Sequence, residues 1–131
     1  MTLTPELINT IEQYDEQKRF KYLLETVIKH GEIWILVDEH GCMMLNTEDE
    51  DCLPVWPNKE FAQGWITNDW KDCKAQAISL NEWQSRWTTG LAEDELAIVA
   101  FPNRAEEGLI LFPDEFEFEL SKKIKKSSQH K

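Results

Sequence analysis

Three residues with metal-ligand chemistry alternate along one short segment of the chain. Asp38, His40 and Cys42 could supply a carboxylate, an imidazole and a thiolate to one face of an extended hairpin. Gly41 places a turn inside this segment, so the alternation is expected to break there. One hairpin also rarely completes a tetrahedral site. We therefore predict no metal and no cofactor.

The cysteines are the next candidates for chemistry. Cys42, Cys52 and Cys73 form no Cys-x-x-Cys pair, and only Cys73 has cationic neighbours in sequence, Lys71 and Lys74. A nucleophilic cysteine needs a nearby base or cation that favours the thiolate. We predict ordinary thiols. Their odd number, with a polar N-terminal segment, favours a reduced cytoplasmic protein that is neither secreted nor membrane-bound.

The least generic stretch is Leu53–Trp65, which reads LPVWPNKEFAQGW and holds two prolines and two tryptophans. Trp56 here, and Trp70 just beyond it, fall in extended or loop segments, where a tryptophan could anchor a partner. The predicted ligand or partner surface comprises Trp56, Lys59, Glu60, Trp70 and Arg104. The alternative interpretation is that Trp56, held between two prolines, seals an edge of the core.

Charge narrows the range of partners. The chain carries 14 basic and 25 acidic residues, for a net charge of -11. Residues 122–131 hold five of the bases and no acid, which leaves residues 1–121 with nine bases and a formal charge of -16. Such a body repels a phosphate backbone, so we predict no nucleic-acid binding. The acidity favours solubility or attraction to a basic protein.

Hydrophobic periodicity and capping residues predict the elements that position these groups. Thr4 with Pro5 and Asp15 start two N-terminal helices, and His30-Gly31 ends the second. The remaining predictions, in chain order, are a buried strand at Glu32–Val37, its hairpin partner at Cys42–Leu45, a stiff extended strand or edge at Leu53–Pro57, a helix capped by Asn58, a short strand at Ala75–Ser79, a helix capped by Ser79 that carries Leu80, Trp83, Trp87 and Leu91, strands at Glu95–Phe101 and Gly108–Phe112, and a helix from Pro113.

This order predicts an α+β fold. Residues 1–121 are expected to form one domain, with a mixed, largely antiparallel sheet of about five strands and helices packed on it. Residues 122–131 are predicted to be a basic, disordered, solvated tail. The alternative is that they touch an acidic surface of their own body or of a partner.

Several motifs together resemble a bacterial family known only as domain of unknown function 2750. They are RFKYLLETVI, EIWILVDEHG, LPVWPNKEFA, AISLNEW, GLAEDELAIVAFP and GLILFP, which span roughly residues 15–115. The resemblance implies no activity, cofactor or catalytic residue. The order of elements is also similar to that of the N-terminal domain of type III secretion enhancer proteins, a likeness of fold that does not imply function.

Three functional hypotheses follow. The leading one is a non-enzymatic cytoplasmic protein-interaction or regulatory module, because no catalytic constellation is visible. The alternative is a small-molecule-binding domain or enzyme with a cleft near Trp56 and Trp70, using Glu60, Asp69 or Arg104. A third is an immunity-like protein whose acidic surface binds a basic partner.

Overall fold

The computed structural model describes residues 4–39, 41–46, 51–66, 72–103 and 108–128. The helices are α1 (Pro5–Glu12), α2 (Glu16–His30), α3 (Lys59–Gln63), α4 (Leu80–Glu82), α5 (Thr88–Glu93) and α6 (Pro113–Ser128). The strands are β1 (Glu32–Asp38), β2 (Gly41–Cys42), β3 (Leu45–Asn46), β4 (Asp51–Val55), β5 (Lys74–Ser79), β6 (Ala97–Ala100) and β7 (Leu109–Leu111). The predicted α+β class and the two N-terminal helices are confirmed.

The capping predictions are confirmed at three helix starts. The Thr4 hydroxyl accepts from the Leu7 N–H at 3.1 Å, and the Asp15 carboxylate accepts from the Lys18 N–H at 2.8 Å. Ser79 likewise accepts from the N–H of Glu82. Each cap satisfies a backbone donor that the first helical turn leaves without an internal partner. Asn58 occupies the N-cap position of α3, as predicted, but its side chain makes no capping hydrogen bond.

Among the described residues the strands form two sheets, ordered β2-β1-β5 and β3-β4-β6-β7, rather than the one sheet predicted. Four of the five strand pairs are antiparallel, and β4 with β6 is parallel. The hairpin partner of β1 is shorter than predicted, since its strand is Gly41–Cys42, beyond which Met43 donates one backbone hydrogen bond to Leu36 at 2.9 Å. Leu45 already pairs with Cys52 of the other sheet.

The LPVWP segment forms an extended strand, as predicted, but this strand lies inside the four-stranded sheet, so the alternative of an edge position is wrong. On one side β4 pairs with β6, in a register that sets Pro54 beside Val99. On the other side β3 reaches only Cys52, and the next contact is an antiparallel bridge between Trp56 and Trp34 of β1. This bridge joins the two sheets through two backbone hydrogen bonds of 2.9 Å.

Proline is tolerated here because of the alternation of the strand backbone. The N–H and C=O of Trp56 point toward β1, whereas the C=O of Val55 points toward β6 and accepts from Phe101. Alternate residues of a strand direct their backbone groups to the same side. Pro54 therefore faces the interval between the last pair with β3 and the bridge to β1. Its missing N–H costs no ladder hydrogen bond at that position.

One large core joins most elements. Phe116 and Leu120 of α6 are fully buried, as is Trp83. Trp83 begins a π-helical turn, Trp83–Trp87, between α4 and α5, where the Thr88 N–H bonds to the Trp83 carbonyl. Trp34 and Trp87 are only partly buried. None of the helices in the described ranges is long and apolar enough to cross a bilayer.

Helix α6 continues to Ser128, so the prediction of a disordered tail is wrong for residues 122–128. Ile124 packs partly buried against the core and so anchors the last turns. Lys123 lies 3.9 Å from the Glu25 carboxylate of α2. The basic segment therefore contacts the protein's own acidic body, one of the two surfaces predicted for it. Residues 129–131 lie outside the described ranges.

Arg19 of α2 is an internal charge that the sequence patterns did not predict. It is 3% exposed. Its Nε donates to the Phe101 carbonyl at 3.1 Å, and its guanidinium also donates to the Tyr14 carbonyl between α1 and α2. Phe101 has a backbone φ of 49°, a conformation unfavourable for a bulky residue. Arg19 thus ties the helical joint to the strained end of β6.

We predict that Arg19→Met lowers the free energy of unfolding by about 2–4 kcal/mol, because two carbonyls lose a charged donor inside the protein. Urea denaturation followed by circular dichroism measures this loss. Lys21→Met is the charge-matched control on the same helix. Lys21 is exposed, so its substitution should change stability by less than about 0.5 kcal/mol. Equal losses in the two variants would contradict the role given to Arg19.

Candidate protein-interaction surface

Trp56, the central residue of the sequence-predicted surface, is buried. Its side chain has 0% exposure, and its indole Nε1 donates to the Pro102 carbonyl at 3.1 Å. Its ring packs against Trp65 at a centroid distance of 5.6 Å. The interpretation of Trp56 as a seal of the core is therefore confirmed, and Trp56 presents no surface to a ligand or partner.

Of the other predicted site residues, only Lys59 and Glu60 fall in the described ranges. Lys59 and Glu60 are exposed in the first turn of α3. Burial raises the pKa of the Tyr22 phenol, and the negative charge of nearby Glu60 acts in the same direction. Asp69, Trp70 and Arg104 lie outside the described residues. Trp56 is buried, so it cannot line the predicted cleft.

The candidate metal and nucleophile residues show no reactive arrangement in the described part of the chain. No group of three potential metal ligands occurs there, and His40 falls outside it. Burial raises the pKa of Cys73, and the carboxylates of Asp38 and Asp72 raise it further. Burial also raises the pKa of Cys42. A raised pKa keeps a thiol protonated near neutral pH, which is the opposite of nucleophile activation.

Helix α6 is the best-supported platform for a surface site. Its inner face packs through Phe116, whose ring lies 6.1 Å from Phe20 and 5.9 Å from Trp83. Glu117 fixes one flank by accepting from Gln84 of the π-helical turn at 2.9 Å. The Lys123 contact with α2 fixes the other flank. Side chains on the outer face of α6 are therefore held on a rigid support.

A groove of about 360 Å³ runs between α2 and α6. We call it the lysine groove, and its lining residues are Gln17, Phe20, Lys21, Leu24, Glu119, Lys122, Lys123 and Lys126. Four ammonium groups face one carboxylate in this lining, although the whole chain has 14 cationic residues against 25 acids. The groove is thus a local positive region on an acidic protein. The sequence showed the basic run but not its partner Lys21 across the groove.

Large apolar side chains are exposed beside this groove and in the segment just before α6. In the described ranges these are Ile110, Phe112 and Phe118, with exposures of 47%, 54% and 64%. We call them the C-terminal apolar residues. Ile110 belongs to β7, at the edge of its sheet, and Phe112 immediately precedes α6. The Lys122 ammonium lies 5.9 Å from the Phe118 ring, which places Phe118 beside the lysine groove.

We predict that Trp56→Phe lowers the free energy of unfolding by about 2–4 kcal/mol. The change leaves a cavity and removes the donor to the Pro102 carbonyl. Trp34→Phe is the matched control, since Trp34 shares the backbone bridge but has a partly exposed side chain, and it should cost less. Urea denaturation measures both values. A Trp56 variant as stable as the wild type would show that the indole does not seal the core.

The thiols should react slowly in the native protein. We expect iodoacetamide at neutral pH to modify Cys73 and Cys42 more slowly than in the urea-unfolded chain, because burial and raised pKa values both lower the amount of accessible thiolate. The native rate should rise with pH and reach its midpoint above that of the unfolded chain. Mass spectrometry of timed samples measures these rates. Rapid modification of native Cys73 at pH 7 would reopen the nucleophile hypothesis.

Comparison with known proteins supplies a family but no activity. No curated protein sequence matches the chain. The family model described as "Protein of unknown function (DUF2750)" matches residues 20–120, which include β1, the LPVWP strand, the π-helical turn and the first half of α6. The sequence resemblance is thereby confirmed: the chain belongs to the DUF2750 family.

Proposed function

We propose that this protein is a non-enzymatic, cytoplasmic protein-interaction module of a bacterial cell. The observation that carries the proposal is the exposure of the C-terminal apolar residues on and beside a helix whose opposite face is fixed in the core. Large apolar groups exposed on a rigid element are typical of protein-binding surfaces, where a few aromatic anchors supply most of the affinity.

Two further observations support an interaction role over catalysis. Cys42 and Cys73 have thiols with raised pKa values, and the described residues contain no cluster of metal ligands. Trp56, around which the small-molecule alternative was built, is enclosed in the core. The strong negative charge of the body disfavours nucleic acid and anionic membranes as partners. A protein partner is the class that these properties favour.

The proposal is tested by capture of partners from an extract of the native cell on the immobilised protein. We expect a stoichiometric protein partner at moderate salt, and we expect Phe118→Ser to weaken its binding about tenfold or more, the usual effect of truncating an aromatic anchor. Glu82→Ser, an exposed substitution on α4, is the control and should leave binding unchanged. Titration with the purified partner measures the affinities.

Stability must be compared in the same experiment. Because Phe118 is 64% exposed, its substitution should change the free energy of unfolding by less than about 0.5 kcal/mol. Absence of any stoichiometric partner at low and moderate salt would contradict the proposal. So would a partner that binds both variants as tightly as the wild type.

A further inference from the structure

We infer that the lysine groove binds an acidic segment of a partner protein, and this inference rests on the proposed interaction function. Three of its lysines, Lys122, Lys123 and Lys126, come from α6, and Lys21 faces them from α2. Of these four, only Lys123 has a carboxylate partner among the described residues, Glu25 at 3.9 Å. The other three ammonium groups are exposed and available to an anionic ligand.

The lysine groove brings several positive charges close together. Lys122 and Lys126 are four residues apart on one helix, a spacing at which two positive charges repel and destabilise the helix. The acidic body supplies the lining with only one carboxylate, Glu119. Carboxylates of a bound ligand would reduce the repulsion between these lysines. The groove is therefore complementary in charge to an acidic ligand.

Spacing favours a peptide over a small anion. Lys122 and Lys126 are separated by about 6 Å along the helix axis. Glutamates four apart on a partner helix, or two apart on an extended chain, repeat at about 6–7 Å. The floor residues Phe20 and Leu24 are 8% and 5% exposed and offer little apolar surface, whereas Phe118 is 64% exposed beside Lys122. The complementary segment therefore carries spaced carboxylates and an adjacent apolar side chain.

The distribution of charge distinguishes this ligand from other polyanions. Residues 1–121 carry a formal charge of -16. A nucleic acid or an anionic bilayer is larger than the groove and would also meet the acidic surfaces around it. A short acidic peptide carries few charges and confines them to the groove. Charge complementarity of this local kind favours an acidic segment of a protein.

The test uses fluorescence anisotropy with the full-length protein and three labelled synthetic peptides of glutamate and leucine, glutamine and leucine, or lysine and leucine. We expect the glutamate peptide to bind most tightly, and its affinity to fall with added salt. The double variant Lys122→Gln/Lys126→Gln should bind it about fivefold to tenfold more weakly, as expected for removal of two surface ion pairs. Lys29→Gln/Lys74→Gln is the control, because it changes net charge equally at exposed sites outside the groove.

Each alternative result decides against the inference. Equal weakening of peptide binding in both double variants would show that the effect comes from net charge and not from the groove. If the three peptides bound equally, or if none bound, the groove would not be a site for an acidic ligand. Binding of phosphatidylserine vesicles or of single-stranded DNA that depends on Lys122 and Lys126, without peptide binding, would assign the groove to a different class of ligand. Circular dichroism of each variant confirms that the fold is retained.

The two proposals fail separately. If the acidic peptide does not bind but a captured partner still depends on Phe118, the interaction function stands and the lysine groove has no part in it. If the acidic peptide binds through Lys122 and Lys126 but no cellular protein is captured, the groove is assigned and the interaction proposal is contradicted. Backbone amide shifts in an ¹⁵N-labelled sample, expected along α2 and α6 on peptide addition, locate the binding surface independently.

Discussion

The backbone bridge between Trp34 and Trp56 is the interaction on which the architecture depends. Two hydrogen bonds of 2.9 Å join the two sheets here, and the Trp56 side chain extends the connection to Pro102 beyond the end of β6. The strand that carries Trp56 therefore has neighbours on both sides and a fully buried anchor. This position explains why a proline-rich segment tolerates an interior location, since Pro54 falls where the neighbouring strand changes and no donor is needed.

Arg19 supplies a second connection at the same place. It bonds to the carbonyl of Phe101, the residue directly before Pro102, while Phe101 donates its N–H to Val55. Phe101 holds an unfavourable positive φ and is packed between Tyr22 and Phe61. A strained residue persists only where its surroundings over-determine its conformation. The end of β6 is thus specified by helix, strand and aromatic packing together, and Trp56 in the least generic part of the sequence belongs to this packing.

Local signals in the sequence predicted the elements well, and long-range pairing accounts for most of what was missed. Thr4, Asp15 and Ser79 act within one helical turn, so their caps are readable from neighbouring residues. The parallel pair of β4 and β6 joins segments far apart in sequence, and nothing local to LPVWP specifies it. The sequence predicts disorder for residues 122–128 because their high positive charge is typical of a solvated chain end. Lysine is a good helix former, however, and Ile124 binds the helix to the core. The lysine groove combines this helix with Lys21 of α2. Their proximity is a long-range contact that the sequence patterns do not show.

The placement of the proposed surface on α6 follows from how the rest of the chain is used. The central strands and the LPVWP segment are committed to packing, and their tryptophans have little or no free surface. Helix α6 meets the core along one face, while Glu117 and Lys123 secure its flanks. Its outer face can therefore vary in sequence at little cost in stability, yet it is held rigidly enough to present Phe118 and the lysines in a fixed pattern. A rigid, preorganised surface loses less entropy on binding than a mobile tail would. The helical state of residues 122–128 is thus what makes this basic segment a candidate for specific recognition rather than diffuse attraction.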